Sequence, residues 1–270
     1  MYKNFNKAIS YFFILFLICS FSFCKKSTEQ NSGGTPPPPP DTSTYQLVWS
    51  DEFDGASIDA NFWNFETGGN GWGNNEKEYY QAANADIENG NLVITGKKET
   101  IGSNNYTSAR MTTQGKKEFL YGKIEARIKI PVGQGFWPAF WMLGANINTV
   151  NWPACGETDI MEHINTDSLI YGTLHWDDNG HQQNGDKISS TPSEYHVYSI
   201  EWTSSIIRFY VDSFEYHKTV ISGNNIDEFK HPFFILLNFA LGGNWPGQTI
   251  DDSLLPAKMY VDYVRVYQKK

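Results

Sequence analysis

Apolar and polar residues alternate over short segments after residue 44, which is the pattern of half-buried β-strands. The clearest segments are residues 92–95, 122–130, 195–202, 206–211 and 259–267. Clusters of Gly, Asn, Asp and Pro separate these segments, and no long stretch has helical periodicity. Many short strands over about 225 residues predict a single all-β domain at residues 45–270, a β-sandwich rather than two small domains.

The first 24 residues have the pattern of an export signal. Lys3 and Lys7 precede the nearly all-apolar residues 8–23, a stretch that is short for a membrane-spanning helix. Cys24 ends this stretch and resembles the lipidated first residue of a mature bacterial lipoprotein. Plain cleavage and release is the alternative.

Residues 25–44 differ in composition from both neighbours. They are rich in Ser, Thr, Gly, Gln and Asn and contain five consecutive prolines. This composition predicts a flexible linker with a stiff polyproline piece. The expected protein is exported and anchored through its N-terminal lipid to the cell envelope or cell surface, or otherwise secreted.

Charge and cysteine content narrow the choice of partner. Lys plus Arg number 21 and Asp plus Glu number 30, so the formal net charge is −9. That balance disfavours nucleic acid and anionic membrane surfaces, and no glycine-rich phosphate loop is present. Cys155 is the one cysteine after residue 24, so it cannot form a disulfide within the domain and is expected to be a small buried hydrophobe.

Three acidic residues stand close together in the run Glu157-x-Asp159-x-x-Glu162. On a strand, Glu157 and Asp159 share a face, whereas Glu162 joins them only if a β-bulge lies at residues 160–161. A carboxyl pair separated by about 5–5.5 Å is typical of a retaining glycosidase. A solvated acidic strand is the alternative interpretation.

Three aromatic and glycine-rich segments accompany the acids, at residues 71–80, 133–143 and 238–247. In the second, Trp137 and Trp141 are four residues apart and would share a strand face, where they could stack on sugar rings. Pro138 and the neighbouring glycines predict an irregular, partly exposed stretch there.

These motifs together resemble glycoside hydrolase family 16, within it the bacterial laminarinase (endo-1,3-β-glucanase) branch. The acidic run is preceded by residues 137–141 and followed by His175-Trp176 and residues 242–247, in the order of that family. The resemblance covers residues 46–268. It implies a β-jelly-roll of two antiparallel sheets with a substrate groove on the concave face, and hydrolysis with retention.

The resemblance also implies roles for individual residues. Glu157 matches the catalytic nucleophile, Glu162 the acid/base and Asp159 the assisting carboxylate between them. Thr158 stands where the family usually has Ile, Leu or Val; its side chain would point away from the cleft. The implied substrate-binding residues are the cleft tryptophans Trp137, Trp141 and Trp245 and the glycone-side residues Asn75, Glu76, Arg110 and His175.

Many members of the family bind a structural calcium far from the cleft, and none is implied to need a cofactor for catalysis. Glu52, Gly90 and Asp262 match the usual ligand positions, partly through backbone carbonyls. Oxygen ligands of this kind suit calcium.

The expected activity is therefore double-displacement endo-hydrolysis of β-1,3-glucosidic bonds in laminarin-like or mixed-linkage β-glucan, by a monomer. The bulged motif separates this branch from the lichenases, which typically carry the unbulged Glu-x-Asp-x-Glu. Asp159 is expected to help separate the titrations of the two glutamates. An agarase- or carrageenase-type galactan hydrolase is one alternative, and a non-catalytic glucan-binding module is another.

Overall fold

The computed structural model describes residues 45–223 and 225–270. The predicted signal and linker, residues 1–44, lie outside the described residues. Within the described part of the chain, no helix is long and apolar enough to cross a membrane.

Strands make up most of the described chain. In chain order they are β1 (Tyr45–Asp51), β2 (Asn64–Glu66), β3 (Glu78–Tyr80), β4 (Ala85–Glu88), β5 (Asn91–Gly96), β6 (Tyr106–Ser108), β7 (Arg110–Thr112), β8 (Glu118–Phe119), β9 (Gly122–Lys129), β10 (Phe136–Gly144), β11 (Glu157–Glu162), β12 (Leu169–Asp177), β13 (His181–Ser189), β14 (His196–Trp202), β15 (Ile206–Val211), β16 (Phe214–Val220), β17 (Phe233–Leu241) and β18 (Ala257–Lys269). Helical structure is limited to α1 (Ile147–Val150) and to short 3₁₀ turns at Ala82–Asn84, Asp227–Lys230 and Asp252–Leu254.

The strands form two large antiparallel sheets. The outer sheet has the order β16-β15-β14-β9-β18-β5-β4, with β1 also paired to β18. The groove sheet has the order β13-β12-β11-β10-β17-β7-β2, with β8 also paired to β17. A short parallel pair, β3 and β6, stands apart. This arrangement confirms the predicted jelly-roll sandwich.

One apolar core lies between the two sheets. The outer sheet contributes alternate residues of β9, such as Ile124 and Ile128, and the groove sheet contributes Phe140, Ile160 and Met161, all at most 1 % exposed. Burying each large side chain stabilises the fold by about 1.5–3 kcal/mol. The inner faces of both sheets are buried in this core. Polar side chains of the groove sheet therefore lie on its opposite face.

The predicted strands are confirmed, but the expected irregularity around Pro138 is wrong. Residues Phe136–Gly144 form one continuous strand that pairs with β17 along its whole length. Pairing with β11 begins only at Ala139, so the missing N–H of Pro138 falls outside that ladder.

Candidate functional site

A groove crosses the strands of the groove sheet on the face away from the core. The register aligns one residue from each of six strands in a row that forms part of the groove floor. The row consists of Arg110 (β7), Asn238 (β17), Ala139 (β10), Glu162 (β11), Tyr171 (β12) and Lys187 (β13). A chain of sugar rings lying along such a row would cross the strands and meet a new side chain at each one.

The groove has two halves that meet at the acidic residues. The Arg110 half, with a cavity of about 380 Å³, is lined by Trp72, Glu76, Arg110, Trp141 and Asn238. The His175 half, with a cavity of about 830 Å³, is lined by Tyr171, His175, His181, Lys187 and Trp245. Glu157, Asp159, Glu162, Asn74, Trp137 and Trp152 line both halves.

A β-bulge in β11 brings the three acids onto the groove face, as the sequence predicted. On β10, consecutive residues Phe140 and Trp141 pair with Met161 and Asp159, which leaves Ile160 without a partner there. The side chains of Ile160 and Met161 both enter the core. Glu162 therefore returns to the face of Glu157 and Asp159, because one extra residue reverses the alternation.

Neighbouring strands contact each acid differently. The indole Nε1–H of Trp137 donates to Glu162 Oε1 at 2.8 Å. The Nε2 atom of His175 lies 3.1 Å from Asp159 Oδ2 and 4.0 Å from Glu157 Oε1. The 3.1 Å contact is at ion-pair distance but lacks hydrogen-bond geometry, and Asp159 Oδ2 is buried without a hydrogen-bond partner.

Burial raises the pKa of all three carboxyl groups. It raises the pKa of Asp159 to about 8. Burial, and then the charge of Asp159, raise the pKa of Glu162 to about 8. The pKa of Glu157 also rises, through burial and the charge of Asp159, while His175 and Arg110 act in the opposite direction. Asp159 raises the pKa of both glutamates and His175 lowers that of both, so neither group by itself separates the two titrations, while Arg110 acts on Glu157.

In the Arg110 half, the guanidinium is held between two indole rings. Its Cζ lies 5.0 Å from the ring centroid of Trp72 and 4.7 Å from that of Trp141. Its Nε also forms an ion pair with Glu66. Stacking on both faces and an ion pair at one edge fix the direction in which the remaining N–H groups point.

A chain of hydrogen bonds supports the same half from below. Trp141 Nε1–H donates to Asn238 Oδ1 at 2.7 Å, and Asn238 Nδ2–H donates to the Tyr80 hydroxyl oxygen at 3.1 Å. The Tyr80 hydroxyl donates to Glu76 Oε2 at 2.8 Å. Tyr80, Glu76 and Asn238 are all buried. The hydrogen bonds between them offset the loss of water at their polar atoms, which would otherwise destabilise the fold.

The His175 half is lined by rings that are packed on one another. His175 Nδ1 lies 2.8 Å from His181 Nε2 at hydrogen-bond distance, and Trp152 packs on His181 with a centroid distance of 4.7 Å. Further along, Trp245 forms edge contacts with Tyr171 at 4.9 Å and with Trp137. Aromatic faces of this kind offer surfaces on which sugar rings can stack.

Most of the substrate-binding residues predicted from the sequence line the groove. His175 lies in the opposite half from Glu76 and Arg110, so these polar residues do not line one side together. Asn75 is exposed, and its Nδ2 donates to Asn244 Oδ1 at 2.8 Å, so its role in substrate binding stays a prediction. Asn75 has a positive φ of 56°, a conformation that Asn tolerates well, and it fastens two loops together.

Several groove residues were missed by the sequence analysis. Trp72 and Asn74 lie in the aromatic, glycine-rich segment at residues 71–80, and the composition of that segment was the sign that they line the groove. Trp152, which is 46 % exposed, sits in the loop before β11. Tyr171 and His181 reach the groove only because β12 and β13 pair beside β11, and nothing in their local sequence indicates this.

The three residues expected to bind calcium lie near one another along β18. Asp262 occupies a bulge where β18 passes from pairing with β5 to pairing with β1. Glu52 follows the end of β1 and Gly90 precedes β5. However, Arg265 holds the Glu52 carboxylate at 2.8 and 3.0 Å and Arg127 holds that of Asp262 at 2.6 Å. A calcium ion there would therefore depend on backbone oxygens.

Comparison with known proteins gives a consistent result. Residues 73–265 match the model of the glycosyl hydrolases family 16. The chain is 39 % identical over 244 residues to a beta-glucanase of Rhodothermus marinus, covering 83 % of this chain and 85 % of that protein. The laminarinase catalytic domain of Thermotoga maritima superposes with a TM-score of 0.78 at 45 % identity, covering 84 % of this chain and 99 % of that one.

A third relative is much longer than the matched region. The chain is 48 % identical over 232 residues to the clotting factor G alpha subunit of Tachypleus tridentatus, covering 83 % of this chain. It spans about a third of that protein, 34 % of its length. The similarity there concerns the matched domain.

Proposed function

This chain belongs to the glycosyl hydrolases family 16, and we propose that it is an endo-acting enzyme that hydrolyses β-1,3-glucosidic bonds. Its substrate is laminarin-like or mixed-linkage β-glucan, and the anomeric configuration is retained. The observation that carries this function is the β11 bulge, which presents Glu157, Asp159 and Glu162 together on the floor of an open, aromatic-lined groove. Relatives described as a beta-glucanase and a laminarinase support the substrate class.

In the first step, ionised Glu157 attacks the anomeric carbon while protonated Glu162 donates its proton to the leaving oxygen. Burial and the charge of Asp159 raise the pKa of Glu157, and His175 and Arg110 oppose that rise and so favour the charged form that attacks. The pKa of Glu162, raised by burial to about 8, keeps that acid protonated at neutral pH.

In the second step, water attacks the glycosyl-enzyme and Glu162, now ionised, accepts the proton from that water. Trp137 donates a hydrogen bond to Glu162, which fixes the carboxyl group for both transfers. Asp159 lies between the two glutamates, and its own raised pKa of about 8 keeps it neutral while Glu157 carries the charge.

The open groove favours attack within a polysaccharide over attack at its end. Lining residues continue on both sides of the acids, from Arg110 to Lys187 along one row. A long chain can therefore lie across the cleavage point with sugars bound in both halves. The aromatic faces in both halves suit the rings of a neutral glucan.

The test compares reducing-sugar release from laminarin, lichenan, agarose and carrageenan. We expect release from laminarin and lichenan, with oligosaccharides as the first products. Release from agarose or carrageenan alone would instead establish a galactan hydrolase, and binding without release from any polymer would establish a binding module.

The nucleophile assignment has its own test. Glu157→Ala should lose turnover, and added azide should restore reaction with formation of an α-glycosyl azide, detected by NMR. Wild-type turnover in Glu157→Ala would refute the assignment. Circular dichroism of the variant controls for folding.

We also propose that the bulge at Asp262 holds a structural calcium ion, ligated mainly by backbone oxygens of the region around Glu52, Gly90 and Asp262. The partner change of β18 at this bulge supports the location. Calcium should raise the melting temperature of chelator-treated protein, while magnesium should not. An unchanged melting temperature would exclude the site.

The N-terminal segment is proposed to be a lipoprotein signal with a linker that holds a monomeric domain away from the membrane. The apolar stretch before Cys24 and the prolines after it motivate this proposal. Cys24→Ser should move the protein from the membrane fraction to the soluble exported fraction. Light scattering of the domain at residues 45–270 should give a monomer mass.

A further inference from the structure

We propose that Glu157, Asp159 and His175 form a binding site for a borderline divalent metal ion, with Zn²⁺ as the best-suited ion, and that this ion blocks the groove. Among residues 45–223 and 225–270, these three are the one group of acidic, His or Cys side chains with ligand atoms close enough to share an ion. The ion would be an inhibitor and takes no part in hydrolysis.

The spacing of the three ligand atoms matches a small coordination sphere. They all lie within 4.8 Å of one another, and His175 Nε2 is 3.1 Å from Asp159 Oδ2 and 4.0 Å from Glu157 Oε1. Ligands about 2.1 Å from a tetrahedral zinc ion are about 3.4 Å apart. Small side-chain rotations would therefore bring all three onto one ion.

An unsatisfied buried atom points independently to a ligand at this place. Asp159 is 3 % exposed, and its Oδ2 atom has no hydrogen-bond partner although it lies beside His175 Nε2. A buried carboxyl oxygen without a hydrogen-bond donor gains more from a cation than an exposed one does, and binding of the ion releases the proton that Asp159 carries at neutral pH. A metal ion between Asp159 and His175 would satisfy it.

The second ring nitrogen of His175, Nδ1, has a partner of the kind that ligating histidines have in metal sites. Ligating histidines usually hydrogen-bond through their second ring nitrogen, which fixes the ring and its tautomer. Here His175 Nδ1 lies 2.8 Å from His181 Nε2, so Nε2 is left directed toward the carboxylates. Trp152 packs on His181 and supports this orientation.

The donor set selects the class of metal. One imidazole nitrogen with two carboxylate oxygens suits Zn²⁺, Co²⁺ and Cu²⁺, whereas Ca²⁺ and Mg²⁺ prefer oxygen ligands alone. Three protein ligands leave further positions to water, as in open zinc sites. This site therefore differs in ion preference from the calcium site proposed at Asp262.

The experiment is calorimetric titration of untagged, chelator-treated protein with ZnCl₂ and, separately, with CaCl₂. We expect one Zn²⁺ per chain, and we expect saturating Ca²⁺ to leave the zinc affinity unchanged. His175→Ala should remove this binding, and His181→Ala should weaken it about 10–100-fold. His196→Ala is the matched control, because His196 also pairs with a carboxylate, Asp212, at 2.9 Å but lies outside the groove; it should bind like the wild type.

Two further readouts separate this inference from the proposed glucanase function. Co²⁺ bound to the wild type should give visible absorption that is absent in His175→Ala, whether or not the protein hydrolyses glucan. Zn²⁺ should inhibit laminarin hydrolysis competitively, and EDTA should restore it. Unchanged Zn²⁺ binding in a folded His175→Ala variant, or absence of binding in the wild type, would overturn the proposal.

Discussion

The two halves of the groove are built in different ways. In the Arg110 half, the guanidinium is stacked between two indoles, and a chain of hydrogen bonds links Trp141 through Asn238 and Tyr80 to Glu76. Every member of that chain except Trp141 is buried. Trp141 and Asn238 lie on β10 and β17 in the interior of the sheet, whereas Tyr80 lies on β3 and Glu76 in the loop before it.

The His175 half depends instead on the edge of the sheet. Strand β13 is the last in its sheet, and almost all of its residues are exposed. Its groove residues, such as His181 and Lys187, contact neighbouring rings rather than a buried hydrogen-bond network. Edge strands with this composition adjust at little energetic cost.

The contrast indicates a division of labour around one catalytic centre. The Arg110 half is preorganised, so it can bind a sugar in a fixed orientation without losing much side-chain entropy. The His175 half can adapt, so it can accept different linkages or release product. The three acids line both halves, so they can act on a sugar chain that is bound in both halves at once.

The largest effect is expected at the centre, where the halves meet. Glu162→Gln removes the proton donor and should lower kcat on laminarin by about 10²–10⁴-fold, with little change in KM. On an aryl β-glucan oligosaccharide with a good leaving group, kcat should fall much less, because the aryloxide departs without being protonated. An equal loss on both substrates would contradict the acid role.

The pH profile tests how the acids are coupled. Glu162 must be protonated to act as an acid, and its pKa is raised to about 8 by burial and by Asp159. The value of kcat/KM should therefore fall about tenfold per pH unit above that pH. Asp159 itself ionises at about pH 8, and its charge then opposes ionisation of Glu162. Asp159→Asn removes that charge, so the alkaline limb should move to lower pH. Movement to higher pH would show the opposite coupling.

Stability should distinguish the two halves directly. Tyr80→Phe leaves Glu76 Oε2 and Asn238 Nδ2 without the buried hydroxyl that each one contacts and should lower the free energy of unfolding by about 1–3 kcal/mol. His181→Ala in the other half should change it by less than about 0.5 kcal/mol. Urea denaturation measures both, and equal losses would show that the halves are equally rigid.

The smallest changes in activity are expected from substituting one cation in each half, Arg110 and Lys187. Arg110→Lys keeps the charge but loses the stacking on Trp72 and Trp141, and kcat/KM should fall about tenfold. Lys187→Ala removes an exposed edge-strand cation and should change kcat/KM by about twofold or less. A larger loss from Lys187→Ala than from Arg110→Lys would reverse the division of labour.

Local patterns predicted the parts of the site that lie on single strands. The acids and their bulge could be placed because strand alternation has a period of two, and only one extra residue brings Glu162 back to the face of Glu157. The same period of two predicted that Trp137 and Trp141, four residues apart, share a strand face. The proposed calcium ligands rest on the resemblance alone, and the arginines that hold Glu52 and Asp262 are not visible in their local sequence.

The contacts of residues with distant partners could not be predicted. Asn75 lies in a glycine-bounded polar segment, but its hydrogen bond to Asn244, 169 positions away, appears only in the structure. His175 was grouped with Arg110, although β11, β10 and β17 lie between their strands. His181 was missed because it matters only through its contact with His175.

The sequence by itself determined an all-β chain, the identity of the three acids and the need for a bulge between them, because side-chain alternation is a local property of the backbone. The tertiary structure alone decided the order of the strands across the groove sheet. That order sets which polar residues share a half of the groove and which carboxyl group lies beside His175. Those features depend on hydrogen-bond registers between segments far apart in the chain, and the local sequence does not record them.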